Sequence, residues 1–426
     1  MATFTRDRLE QILIDAAKPS AANVFTRLYV ESARAAADAS DARLASSGTL
    51  GPVDGMIISV KDNTPIAGEA TMSGGIFASE IEVADELEIV KLRGAGAIII
   101  GKTSMTEFGM DPIGIKARAI PLNAVDPLRV TGGSTSGGSV SVALNLCDSA
   151  IGTDTLGSNR IPAAWQNLVG MATTNGRLPR YSRQLLSYTF GVVGNMARDV
   201  ATVANVDAVM ANITPTLVTP PINTIRIGIA RGLPFSSMVG AIAIAIEDAV
   251  SRLSVAGATV TDMSIDPFMG DDVLNAFGAI VRSEAASQHR QLLADRPNDY
   301  LPYTRDSLAL GLNVLGTTYI EAQRYRQQIR RAMQGLFQSY DVLLIPTVRF
   351  YAPPLQDLLS NDDLFLVNAR RSQYDFYVTS FCNLPAITIP LPGLPSPAGL
   401  MLIAKTNNDR ALLGIAAAVE NLIRNA

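Results

Sequence analysis

Apolar positions along the chain fall into two patterns: short solid runs that suit a strand buried on both faces, and longer stripes at helical spacing. Residues 1–17 scatter Leu9, Ile12, Leu13 and Ile14 among charges, the pattern of a short amphipathic helix. A helical pattern rich in Ala and Arg runs from Asn23 to Ala45 and stops at Ser46-Ser47-Gly48. Met56–Val60 and Ala97–Ile100 are apolar runs too short for helices and predict buried strands, the first delivering Lys61 at its end. Val83–Arg93 and Asp199–Asn212 predict helices, and Ala150–Thr155 a strand. Thr131–Ser141, dense in Gly, Ser and Thr, predicts a loop entering a helix near Val140–Leu146. Beyond Thr219-Pro220-Pro221 the pattern reads strand Ile225–Ala230, helix Ala241–Ala256 and strand Thr259–Met263. Helices Asp272–Leu293 and Thr318–Tyr340 follow, then strand Val342–Ile345, a helix around Leu366–Phe381, strand Ala386–Ile389 and a closing helix Asp409–Arg424.

Strands alternating with helices from end to end predict an α/β fold, a sheet covered by helices on both faces. No low-complexity linker or internal repeat divides the 426 residues, so one large domain is expected, with N-terminal helices over about 1–48 and a helical cap over about 267–338.

Composition narrows the function. Hydrophobic residues make up 48% and charged ones 17%, which argues for a large core and against disorder. A net charge of −4 supplies no electrostatic footprint for nucleic acid or an anionic membrane. Arg324, Arg326, Arg330 and Arg331 read as a solvated helix face. Two cysteines, Cys147 and Cys382, exclude a disulfide scaffold and suit a reducing compartment; with no signal-peptide pattern, a cytoplasmic protein is expected. The longest apolar run is far too short to cross a bilayer.

His289 is the one histidine, which rules out a multi-imidazole metal site, and no Gly-x-Ser-x-Gly elbow offers it a serine. It reads as a surface or half-buried helix residue, and a general base falls instead to a carboxylate or a lysine. Lys61 follows an apolar strand, where burial would push its pKa down and leave a neutral amine able to act as a base. An ion pair at the sheet edge, with Asp62 or another carboxylate, is the plainer alternative. Two segments add hydroxyls: Thr131-Gly132-Gly133-Ser134-Thr135-Ser136-Gly137-Gly138-Ser139, and Gly152-Thr153-Asp154-Thr155-Leu156-Gly157-Ser158-Asn159-Arg160-Ile161-Pro162-Ala163. Composition alone allows flexible loops or phosphate cradles, but a glycine before Ser158 permits a tight turn with inward N–H groups, as an oxyanion hole requires.

These two segments resemble the signature of the amidase signature family, and Ser134 and Ser158 reproduce the 24-residue spacing of its two serines (158 − 134 = 24). Gly51-Pro52-Val53-Asp54-Gly55 through Val60-Lys61-Asp62 is similar to the family's upstream segment. Gly176-Arg177-Leu178-Pro179-Arg180, Gly194-Asn195-Met196-Ala197-Arg198, Tyr340 to Thr347 and Asn383-Leu384-Pro385-Ala386 resemble later landmarks, in order. The resemblance implies a mixed sheet core, a signature region over about 51–200, and hydrolysis of a small-molecule amide through an acyl-enzyme, with esters or carbamates as side substrates. It implies Ser158 as nucleophile, Ser134 as proton relay after a cis Gly133–Ser134 bond, and Lys61 as base. Backbone N–H groups of Thr155, Leu156, Gly157 and Ser158 would form the oxyanion hole, and Asp154 with Arg160 would brace the turn. No metal or organic cofactor is implied, and a homodimer is left open. Three departures stand out: Leu156 in place of a glycine, an extra hydroxyl residue after Ser134, and Asn195 in place of a proline.

Two other readings compete. Gly96 to Thr103 fits the P-loop pattern Gly-x4-Gly-Lys-Thr, but its variable positions are Ala-Ile-Ile-Ile, a strand where phosphate binding needs a turn. An amidotransferase A-type subunit, working with partner chains, would carry the same three residues; no basic extension for tRNA is present.

Overall fold

A computed structural model describes residues 4–46, 48–178 and 185–424. Its strands are β1 (Phe25–Leu28), β2 (Ile57–Lys61), β3 (Ile98–Thr103), β4 (Ser149–Asp154), β5 (Val169–Ala172), β6 (Val192–Ala197), β7 (Arg226–Arg231), β8 (Thr259–Ser264), β9 (Val342–Pro346), β10 (Ala386–Pro390) and β11 (Gly399–Ala404). They form one mixed sheet in the order β1-β3-β2-β4-β6-β5-β10-β11-β9-β7-β8. β2 runs parallel to β3 and β4, and β7 parallel to β8 and β9; the remaining pairs are antiparallel.

The solid apolar runs follow from burial on both faces. Ile57, Ile98 and Ile100 pack with Leu9, Ala33, Ala37 and Val140, from helices Thr5–Ala16, Val30–Ala45 and Ser136–Ala143. Ile58, Val60 and Ile99, one residue out of step, pack with Ile89, Leu92, Val206 and Met210 of helices Leu87–Gly94 and Val200–Ala211. Alternation by one residue therefore sends neighbouring side chains into opposite cores.

The structure differs from the sequence pattern in several places. Phe25–Leu28 is a strand, not the start of a helix, because its backbone pairs antiparallel with β3 (Leu28 opposite Gly101). The helix expected from Val83 begins at Leu87, and the one expected near Val140 begins at Ser136. Gly137 lies inside that second helix, and a Cβ there would stand 2.6 Å from Ser104 Oγ, so close packing requires the glycine that propensity disfavours. The Leu366–Phe381 stretch is two helices, Asp362–Gln373 and Phe376–Cys382. β5, β6, β11 and helix Pro302–Gly311 carry patterns too short or too mixed to stand out. Arg326 is buried, not solvated: its Nε donates to the Phe381 carbonyl at 2.9 Å. The P-loop-like segment is β3, fully buried, with no turn at the variable positions.

Candidate active site

Lys61 ends β2 with no exposed surface. Its Nζ donates to Ser134 Oγ at 2.7 Å, to Thr153 Oγ1 at 3.0 Å and to the Thr153 carbonyl at 3.3 Å. Thr153 sits on β4, the parallel neighbour of β2, so strand pairing sets this contact. Asn63 Nδ2 donates to the same Thr153 hydroxyl at 3.1 Å. Asp62, the next residue, accepts the Gly74 N–H on Oδ2 at 2.9 Å and the Thr26 hydroxyl on Oδ1 at 3.2 Å.

Ser134 is held by loop against loop. The N–H groups of Gly132 and Gly133 donate to the carbonyls of Ile113 and Pro112 at 3.0 and 2.8 Å, and Thr106 N–H donates to the Ser134 carbonyl at 3.3 Å. The partner loop is gathered by one buried carboxylate: Asp111 accepts the N–H groups of Ile113, Gly114, Ile115 and Lys116 at 2.7–3.1 Å. The Gly133–Ser134 peptide bond is cis.

Ser158 lies in the tight turn between β4 and helix Arg160–Trp165. Gly157 has φ +93°, and a Cβ there would stand 2.9 Å from Phe376 Cγ, so no other residue fits. Asp154 and Arg160 brace the turn, each side chain 1% exposed. Arg160 Nη2 and Nε donate to Asp154 Oδ1 and Oδ2 at 2.9 and 3.0 Å. Burial alone would push the Asp154 carboxyl up; the Arg160 charge and the hydrogen bonds it accepts outweigh that and hold it below the usual carboxylate range. Arg160 Nη1 reaches Thr379 Oγ1 at 2.9 Å, and its guanidinium carbon lies 4.6 Å from the Phe376 ring centroid.

Asp154 also alters the expected oxyanion donors. Gly157 N–H donates to Asp154 Oδ1 at 2.7 Å and is thereby committed to the brace. The N–H groups of Thr155, Leu156 and Ser158 make no hydrogen bond among the described residues, although these residues are 7–9% exposed. Unpaired N–H groups in so buried a turn are uncommon. The Leu156 side chain is buried in the cluster with Ile113, Ile115 and Ile161.

Thr135, the extra hydroxyl residue, ties the two serine segments together. Its N–H donates to the Ser158 carbonyl at 3.2 Å, and its Oγ1 to Asn159 Oδ1 at 2.9 Å. That pair repeats the offset of the serines (159 − 135 = 24), a sequence signal that could have found it. Ser134 is thus joined to Lys61 directly, while Ser158 Oγ makes no hydrogen bond to Ser134 among the described residues. Asn195 lies on β6, where Nδ2 donates to the Val203 carbonyl at 3.2 Å. His289 is buried, its Nδ1 3.1 Å from the Tyr300 hydroxyl and its ring edge-on to Phe108. Burial pushes its pKa down to about 4. Pro179 and Arg180 lie outside the described residues. Among those described, no group of three or more His, Cys, Asp or Glu could hold a metal, and no helix is long and apolar enough to cross a membrane.

Comparison with known proteins gives a consistent neighbourhood. The Amidase family model matches residues 9–413. A glutamyl-tRNA(Gln) amidotransferase subunit from Symbiobacterium thermophilum is 30% identical over 90% of this chain and 86% of its own length. The 2-amino-5-chloromuconic acid deaminase of Comamonas testosteroni is 30% identical over 92% of this chain and 86% of its own. A crystal structure of an amidase superposes with a TM-score of 0.88 at 26% identity, covering 99% of this chain and 96% of that one.

Proposed function

The chain belongs to the amidase signature family of hydrolases, and on that premise we propose that it cleaves an amide bond through an acyl-enzyme on Ser158, with Ser134 and Lys61 carrying the proton. The observation that carries this reading is the 2.7 Å bond from the wholly buried Lys61 Nζ to Ser134 Oγ. Burial favours the uncharged amine, the form that can take a proton. Ser158 Oγ attacks the carbonyl carbon and gives its proton to Ser134, which passes its own to Lys61. Collapse of the tetrahedral adduct breaks the C–N bond, and the proton returns through Ser134 to the departing nitrogen. Water then repeats the sequence against the ester, so the sum is amide plus water to acid plus amine. Ser158 Oγ must first rotate toward Ser134, an adjustment expected when substrate tightens a site. The N–H groups of Thr155, Leu156 and Ser158 supply the oxyanion donors, each worth about 3 kcal/mol to the transition state. The 30% identity to an amidotransferase component favours one second reading, in which the amide is that of glutamine and the ammonia passes to a partner chain.

Ser158→Ala and Lys61→Ala should each lower kcat by roughly 10⁴-fold or more in an amide-hydrolysis assay, with an unchanged circular dichroism spectrum. A sulfonyl fluoride should label Ser158, as read by mass spectrometry of peptides. Label on another residue, or a Ser158→Ala protein as fast as the parent, would overturn the proposal.

A further inference from the structure

A cavity of about 720 Å³ opens beside helix Phe376–Cys382, lined by Arg282, Arg349, Arg370, Arg371, Tyr374 and Tyr377 among others. Arg349 is committed, since its Nε donates to the buried Asp375 at 2.7 Å. The other three differ. Arg282, Arg370 and Arg371 make no hydrogen bond and no ion pair among the described residues; Arg371 only lies over the Phe350 ring, at 4.4 Å. Among the described residues, no carboxylate lines the cavity. The chain has more acidic residues than basic ones, 39 against 35, and its other arginines commonly find partners, as in Arg43–Asp54, Arg177–Asp207 and Arg226–Asp341. Like charges gathered in one concavity repel each other, and a low-dielectric wall strengthens their joint pull on an anion.

The cavity approaches the Ser158 turn through helix Phe376–Cys382. Tyr377 follows Phe376, the residue packed against the Gly157 position and under Arg160. Burial raises the Tyr377 phenol while the charges of Arg282 and Arg370 pull it back, so all three share one neighbourhood.

We propose that this cavity is the specificity pocket of the Ser158 site and takes an anionic group on the substrate, a carboxylate several bonds from the scissile amide. Arg370, Arg371 and Arg282 supply charge and N–H donors, and Tyr377 a hydroxyl. A guanidinium meets a carboxylate with two parallel hydrogen bonds, which fixes the orientation of the substrate as well as holding it. The proposal rests on the hydrolase reading above, and the experiment separates the two.

Calorimetric titration of the full-length Ser158→Ala protein with glutarate and with neutral glutaramide reads the pocket without catalysis. Glutarate should bind at least 10-fold tighter, less so at high salt, and the preference should vanish in Ser158→Ala/Arg370→Gln/Arg371→Gln. With Ser158 intact, kcat/KM for glutaramic acid relative to its neutral methyl ester should fall about 10-fold in Arg370→Gln, carried by KM, with partial rescue in Arg370→Lys. Glutarate should compete with glutaramic acid. Equal binding of the neutral and anionic probes, binding indifferent to the arginines, or inhibition that is not competitive would overturn the pocket and leave the hydrolase reading standing. Glutarate binding at these arginines by a protein that turns over no amide would overturn the hydrolase reading and leave the anion site standing.

Discussion

Arg160 and the trio Arg282, Arg370 and Arg371 carry the same guanidinium in opposite settings. Arg160 is 1% exposed, doubly bonded to Asp154, bonded to Thr379 and stacked on Phe376. The trio lines an open cavity and has no hydrogen-bonded partner among the described residues. A buried charge is tolerable only when hydrogen-bonded and paired, so Arg160 is spent on shaping the Ser158 turn. A charge at the rim stays hydrated at little expense and can exchange water for a ligand. Groups that shape the Ser158 turn are thus satisfied from within, and the three arginines of the cavity are left open to solvent. The same division runs through the Ser158 turn, where Asp154 accepts the Gly157 N–H while those of Leu156 and Ser158 make no hydrogen bond among the described residues.

Breaking the buried side should have the largest effect on stability. Asp154→Ala strands Arg160 in the core and should lower unfolding free energy by roughly 3–5 kcal/mol in a urea titration. A loss below about 1 kcal/mol would mean that the pair is not the brace described. His289 sharpens the buried side through pH. It is neutral in the fold, with a pKa lowered from 6.5 to about 4 by burial, so the unfolded chain binds its proton first as pH falls. Stability should be complete above pH 6.5 and decline toward pH 4, by on the order of 3 kcal/mol from this group. His289→Gln should flatten that slope in thermal melts at stepped pH; an identical slope would assign the acid sensitivity elsewhere. The smallest change is expected at the rim, where Arg371→Gln should shift unfolding free energy by under about 0.5 kcal/mol. A larger loss would show that the trio supports the fold and would blur the contrast.

Much of this protein can be read from its sequence. Strands such as Ile57–Lys61 and Val342–Pro346 and helices such as Val200–Ala211 and Asp409–Arg424 are legible because their burial pattern is local and repeats at one period. The two serine segments and Lys61 stand out because glycines and hydroxyls cluster where a turn is needed. Phe25–Leu28 was not legible as a strand, since an edge strand exists only through its partner, and here that partner lies some seventy residues on, as in Arg27 opposite Lys102. The role of Thr135, the diversion of the Gly157 N–H to Asp154, and the burial of Arg326 are equally invisible in one dimension. Sequence by itself determined which residue types are available for chemistry and which segments must be buried, because hydrophobic period and residue type act locally. Only the tertiary structure decided which polar groups meet, because a hydrogen bond depends on distance and angle across the fold, and those are set by the packing of segments far apart in the chain.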